Sequence, residues 1–155
     1  VEILICSDNH GKKIVLKQLV DQYQNVDARI HCGDIELPNQ DLVDFYAVTG
    51  NNDYYYRYPD DLVVEVKGHR IYVTHSHRLS FRNRLEDLAV LAKAHNCDIA
   101  CFGHTHRYEV ETVDGVLCIN PGSLYYNRDG SEPSYAILSI VDGEFFVKRK
   151  LVSEL

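Results

Sequence analysis

Apolar residues along this chain fall into short runs, and many of these runs stop abruptly at a polar loop. Val1–Cys6 reads as a buried strand, and Ala28–Cys32 and Phe45–Thr49 as two more. Between the first two, Lys12–Gln24 places Leu16, Leu19, Val20 and Tyr23 at helical spacing, which predicts an amphipathic helix. Leu62–Val66 and Arg70–Thr74 read as a hairpin turning at Lys67-Gly68-His69. Arg82–His95 is a second helix with Leu85, Leu88, Ala89 and Ala92 on its inner stripe, and Asp98–Phe102 returns to strand. The last third changes character. Glu109–Val113 and Val116–Asn120 flank Asp114-Gly115, and Tyr135–Val141 and Glu144–Leu151 flank Asp142-Gly143, each a two-residue hairpin signal. Strand and helix alternate at the front, and the back is antiparallel. The fold class expected is therefore mixed α/β (α+β): a two-sheet β-sandwich with helices outside it.

Length and composition narrow this picture. The chain has 155 residues, 45% of them apolar, which fits a single domain over residues 1–155 with a real core. No stretch approaches the length of a membrane span, and Val1–Cys6 lacks the basic flank and apolar length of a secretion signal. A soluble, cytoplasmic protein with no membrane partner is the expectation. The sequence holds no Met, so an initiator residue is expected ahead of Val1. The net charge of −7 opposes non-specific binding to nucleic acid or anionic membrane, but bound cations would let a phosphate substrate in. Five cysteines with no CxxC pair (Cys6, Cys32, Cys97, Cys101 and Cys118) read as buried free thiols in a reducing compartment.

The chemistry concentrates at strand exits. Ile3–Cys6 leads into Ser7-Asp8-Asn9-His10-Gly11, and Ile30–Cys32 into Gly33-Asp34. Ala47–Thr49 leads into Gly50-Asn51-Asn52-Asp53, Ile71–Thr74 into His75-Ser76-His77, and Ile99–Phe102 into Gly103-His104-Thr105-His106. Five of the eight histidines lie in these loops. Ligand sites form outside the carboxyl ends of sheet strands, so adjacent strands would bring all five loops to one rim. Each motif alone is weak: a lone HxH is often only a polar strand end. Seven side chains able to bind metal (Asp8, His10, Asp34, Asn51, His75, His104 and His106) exceed what one tetrahedral ion needs. A shared carboxylate can bridge two ions about 3.5–4 Å apart, and such a pair lowers the pKa of a bridging water. Mixed Asp, His and Asn donors suit manganese, nickel, zinc or iron, with manganese favoured.

The order DxH, GD, GNxD, HxH and GHTH, read here from Asp8 to His106, resembles the calcineurin-like metallophosphoesterases. The short length and the later Asn120-Pro121-Gly122-Ser123 are similar to the small bacterial and archaeal phosphodiesterase branch. The resemblance implies a β-sandwich flanked by helices and a divalent-metal-dependent hydrolase of phosphoric diesters, using a metal-bridging hydroxide. It implies that Asp8, His10 and His106 hold one ion, that Asn51, His75 and His104 hold the other, and that Asp34 bridges them. It places His77 near the metals and the Asn-Pro-Gly-Ser turn beneath the site, with Ser123 supporting the site rather than touching substrate.

One departure stands out. Many members read GNHD, and here the histidine position is Asn52, which can hydrogen-bond a phosphate oxygen but cannot give a proton to a leaving group. Asn52 and His77 are thus the candidate catalytic side chains, with His77 as the alternative proton donor. Tyr54, Tyr55, Tyr56, Tyr58, Tyr125 and Tyr126 follow the motif loops. They pack the loops or form an aromatic rim, where stacking on a base is worth about 1–3 kcal/mol. His31, His69 and His95 are assigned to a strand, a turn and a helix end. The expected ligand is a small phosphate ester, with a homo-oligomer open. Two rival readings stand beside this one. The first is a non-catalytic scaffold like the phosphodiesterase-like retromer subunit. The second is a nuclease, which the acidic balance disfavours.

Overall fold

Alternating residues along each inner strand are buried on both faces, so the strands read as almost continuous apolar runs. The computed structural model describes Val1–Leu155. Its elements are β1 (Glu2–Cys6), α1 (Lys13–Gln22), β2 (Ala28–His31), β3 (Tyr46–Ala47), β4 (Asp61–Val66), β5 (His69–Thr74), α2 (Arg84–Ala94), β6 (Ile99–Cys101), β7 (Tyr108–Val113), β8 (Val116–Pro121), β9 (Ser134–Val141) and β10 (Glu144–Leu151). Short 3-10 turns cover Asn39–Leu42 and Val152–Glu154. The strands form two five-stranded sheets, β10-β9-β1-β2-β3 and β4-β5-β6-β8-β7.

Ile3, Ile5 and Ile30 of the first sheet meet Ile71, Val73 and Ile99 of the second in the interior, and all six are fully buried. The intervening residues face outward: Leu4 and Cys6 against Leu16 and Leu19 of α1, and Tyr72 and Ala100 against Leu88 and Ala92 of α2. This is the expected sandwich with helices outside. In α2, Glu86 and Asp87 occupy the first turn and Lys93 the last, the arrangement that the helix dipole favours. No helix is long and apolar enough to cross a membrane. All five cysteines are free and buried.

The front-to-back division of the sequence is not a division in space. The β9–β10 hairpin joins the first sheet beside β1, antiparallel, and the β7–β8 hairpin joins the second, with β8 parallel to β6. Each sheet therefore has a parallel centre, with β1, β2 and β3 in one and β5, β6 and β8 in the other. The third strand is shorter than the Phe45–Thr49 expected. Only Tyr46 and Ala47 pair with β2, and the chain then turns away as Thr49 N–H donates to the Pro59 carbonyl. His69 belongs to β5, opposite Val66, rather than to the turn.

Candidate metal centre

The parallel strands deliver the motif loops to one rim, and backbone hydrogen bonds zip the first two loops together. Asp8 N–H donates to Gly33 O (3.0 Å), His10 N–H to Asp34 O (3.1 Å) and Gly11 N–H to Ile35 O (2.9 Å). Asp8, His10, Asp34, His104 and His106 all hold left-handed φ angles of 56°, 44°, 57°, 74° and 56°. Such conformations are costly for residues with a side chain and persist where the surroundings over-determine them, commonly at functional sites.

All seven side chains singled out as ligands meet at this rim, in two groups. Ligand atoms of Asp8, His10, Asp34 and His106 lie within 4.8 Å of one another. The second group gathers on the Asn51 side-chain oxygen, 2.9 Å from His75 Nε2 and 3.1 Å from His104 Nδ1. Asp34 Oδ2 belongs to both groups, at 3.8 Å from His10 Nε2 and 3.5 Å from His75 Nε2. Asp8 Oδ1 is buried with no hydrogen-bond partner, although the ring nitrogens of His106, His10 and His75 stand 3.2, 3.8 and 3.9 Å away. An orphaned buried carboxylate oxygen facing unprotonated-capable nitrogens is the environment of a cation, so the donor set fits divalent metals. The backbone also leaves room: a Cβ at Gly50 would run into Asp34 Oδ1 and the Asp34 N–H, and one at Gly103 into Ser7 Oγ.

Outer groups fix most of the imidazoles. His75 Nδ1–H donates to the Cys32 carbonyl (2.7 Å) and His106 Nδ1–H to the Tyr126 carbonyl (3.0 Å). His10 Nδ1 lies 2.8 Å from Glu36 Oε2. Each of these rings turns Nε2 to the centre, and such partners orient a ligand and raise its basicity. Ser123 Oγ donates to the Asp8 carbonyl (2.8 Å) and accepts from the N–H groups of Tyr125 and Tyr126, so it braces the first loop from below.

Charges in the site oppose burial. Burial alone would raise both carboxyls. His106, His75 and the Ser7 hydroxyl hold Asp8 below the usual range, and His75 and Asn52 hold Asp34 well below it. Burial would lower His75, but Asp34, Asp8 and the Cys32 carbonyl outweigh it and raise the group. Burial, with His75 and Arg84 near, pulls His104 down to about 4. His77 is lowered by burial and by His75 and Arg78, and its Nδ1 is buried without a partner. Its ring stands 5.4 Å from that of His75 and 6.2 Å from that of His104.

Asn52 turns to Asp34: its backbone N–H donates to Oδ1 (2.9 Å) and its side-chain amide to Oδ2 (3.0 Å). The tyrosines divide. Tyr125 and Tyr126 border the centre, with rings 5.9 Å from His10 and 5.7 Å from His106, whereas Tyr54 and Tyr55 are exposed and Tyr58 packs inward onto the Leu37 carbonyl.

Sequence reasoning missed three supports. Asp53 ends the GNND motif, and its carboxylate accepts the N–H groups of Asp34 (3.0 Å), Gly50 (2.8 Å), Ile35 (2.9 Å) and Glu36 (2.7 Å). Glu36 carries His10. His31, assigned only to its strand, accepts Gly33 N–H on Nδ1 and donates from Nε2 to Asn9 Oδ1 (2.8 Å). Asn9 in turn donates to the carbonyls of Ile35 and Lys12, which ties β2, the first loop and the start of α1 together. The place of Asp53 three residues behind Gly50 was the available signal, since an Asp in a glycine turn commonly accepts from nearby backbone N–H groups.

Comparison with known proteins agrees with this geometry. Residues 1–143 match the model of the calcineurin-like phosphoesterase superfamily domain. The chain is 35% identical over 143 residues to the probable metallophosphoesterase YsnB of Bacillus subtilis, covering 90% of this chain and 85% of that one. A Methanocaldococcus jannaschii protein named a phosphodiesterase is 30% identical over 177 residues, covering 99% and 100%. A predicted phosphoesterase from Streptococcus pneumoniae superposes with a TM-score of 0.92 at 31% identity, over 98% of this chain and 90% of that one. Vps29 of Entamoeba histolytica shares the fold, with a TM-score of 0.74, 23% identity and 97% and 98% coverage. By the span of the family match and the likeness of its relatives, this chain belongs to the calcineurin-like phosphoesterase superfamily.

Proposed function

We propose that this chain is a phosphodiesterase that works with two divalent ions. The observation that carries the reading is the sharing of one carboxylate oxygen, Asp34 Oδ2, between two groups of ligand atoms. Asp8, His10 and His106 would hold one ion; Asn51, His75 and His104 the other; and Asp34 both. When bound, the ions supply positive charge beside the phosphate and a water acidic enough to attack phosphorus near neutral pH. Manganese suits this mixed oxygen and nitrogen set.

The chain's own groups do the rest. Asp8 and Asp34 are held ionised, and Ser123, Asp53 and the Cys32 and Tyr126 carbonyls keep loops and rings in place before substrate arrives. Such preorganisation is what electrostatic catalysis requires. Asn52 braces the Asp34 carboxylate, and His77, whose Nδ1 is buried without a partner, stands beside the centre as the candidate hydrogen-bond group for a phosphate oxygen. Diesters are favoured over monoesters by the relative named a phosphodiesterase. Five buried free thiols support a reducing, cytoplasmic setting.

The shared fold of Vps29 keeps a scaffold reading in view, but a scaffold has no need for seven converging ligand side chains. The test uses metal-stripped protein with bis(p-nitrophenyl) phosphate and p-nitrophenyl phosphate, restoring manganese, nickel, zinc and iron in turn. Metal-dependent turnover that favours the diester is expected. Faster monoester turnover would make this a monoesterase, and no turnover with any metal on folded protein would leave the scaffold.

A further inference from the structure

Beside the candidate metal centre, a cleft of about 810 Å³ opens at His104 and runs between the segment entering α2, strand β7 and the loop at Arg128. Four arginines line it, Arg82, Arg84, Arg107 and Arg128, in a chain whose net charge is −7. None of the four has a carboxylate partner, whereas Arg70 pairs with Glu65 and Arg78 with Asp60 elsewhere on the surface. Three of them are fastened to the loops that carry candidate ligands. Arg84 donates to the Ser76 carbonyl and hydroxyl, between His75 and His77. Arg107 follows His106 directly, and Arg128 N–H donates to the His106 carbonyl (2.9 Å). Phe81 stands 89% exposed at the outer lip beside Arg82.

Guanidinium groups without carboxylate partners gathered in one cleft repel one another, and their planar forks match phosphate oxygens two at a time. The cleft also has four carboxylates, Glu86, Glu109, Glu111 and Asp129, but none of them forms an ion pair with the four arginines. Glu109 and Glu111 share one face of β7, roughly 7 Å apart along the strand. Arg84, Arg107 and Arg128 adjoin the segments that carry candidate ligands, so guanidinium charge is available beside the metal centre. A simple diester carries one charge, which the two ions already answer. Resting on the phosphodiesterase reading, we propose that this cleft receives one ester arm of the substrate and binds a second phosphate group carried on that arm. The substrate class is a small phosphodiester bearing a further phosphate.

The test compares thymidine 5′-(p-nitrophenyl phosphate) with its 3′-phosphorylated form on manganese-loaded protein. The phosphorylated substrate is expected to show a higher kcat/KM by about tenfold or more, the worth of one charged hydrogen bond at its weak end. In an Arg82→Ala/Arg107→Ala/Arg128→Ala variant that keeps the wild-type thermal midpoint, that ratio is expected to fall to about one. Arg107→Lys, which keeps the charge, should retain part of it. Equilibrium binding of thymidine 3′,5′-bisphosphate against thymidine 5′-monophosphate, by calorimetry with and without manganese, reads the cleft apart from turnover. A retained preference without hydrolysis would sink the phosphodiesterase reading and leave the cleft. Equal kcat/KM for the two substrates in the wild type, equal affinity for the two nucleotides, or an unchanged preference in the triple variant would overturn the proposal.

Discussion

Replacing Asp53 with alanine should loosen the metal centre without removing a single candidate ligand. Its carboxylate gathers four backbone N–H groups from two separate loops, those of Asp34, Ile35, Glu36 and Gly50. Asp34 and Glu36 both sit at left-handed φ, 57° and 55°, so these bonds hold backbone that would otherwise relax. Glu36 is exposed and its N–H can turn to water, but Asp34, Ile35 and Gly50 are buried. Three buried donors left unsatisfied at about 1–3 kcal/mol each, with some relief from entering water, give a loss of about 3–5 kcal/mol. In a chain of this size that is a fall on the order of 10 °C in Tm. Asp53→Asn keeps one acceptor oxygen but turns an amide toward two donors, so it should recover less than half of the loss. The assay is chemical denaturation in chelator, followed by manganese titration, where affinity should fall by roughly 10–100-fold. If Asp53→Ala unfolds within about 1 kcal/mol of wild type and binds manganese equally well, the carboxylate does not hold the loops.

Two further outcomes follow from the same geometry. Gly50→Ala drives a Cβ into the Asp34 carboxylate and backbone N–H, so it should cost about 2–4 kcal/mol and displace the shared ligand, read as joint loss of Tm and manganese affinity. His31 is fully buried, and burial, against the charges of Asp8 and Asp34, pulls it down to about 3. Its folded pKa lies below its unfolded value, so its contribution is present above about pH 6.5 and is lost as pH falls toward 3. Between pH 7 and 5 this group should remove about 2 kcal/mol from metal-free protein. Denaturation of His31→Gln should lack that part of the slope, and an identical slope would show that the ring is not the titrating group.

Much of the site was legible because its logic is local. A parallel strand exits at a known end, so Asp8, Asp34, Asn51, His75 and His104 could be placed at one rim from the apolar runs before them. Residue type then pointed to the chemistry. The two hairpins were legible from Asp114-Gly115 and Asp142-Gly143, but not which sheet each would join. That choice depends on long-range packing of β8 against β6 and of β9 against β1. The extent of β3 was overread for a similar reason: Val48 is as apolar as its neighbours, yet the chain bends where Thr49 meets Pro59. The supports were hidden because their partners are backbone groups far away in sequence. Asp53 reads like one more polar loop residue until the N–H groups of Asp34–Glu36, at least 17 positions earlier, are seen around it. His31 looked like an ordinary strand residue, and only the Gly33 and Asn9 contacts reveal a fixed neutral tautomer. Asn52 was read as facing substrate, and the structure shows its amide on the Asp34 carboxylate, the atom that the two ligand groups share.

The central claim is a pair of ions on one carboxylate, and anomalous diffraction from crystals of the manganese-loaded protein tests it most directly. Two anomalous peaks flanking Asp34 Oδ2 are predicted, one among Asp8, His10 and His106 and the other among Asn51, His75 and His104. A single peak, or two peaks that do not share Asp34, would contradict the account.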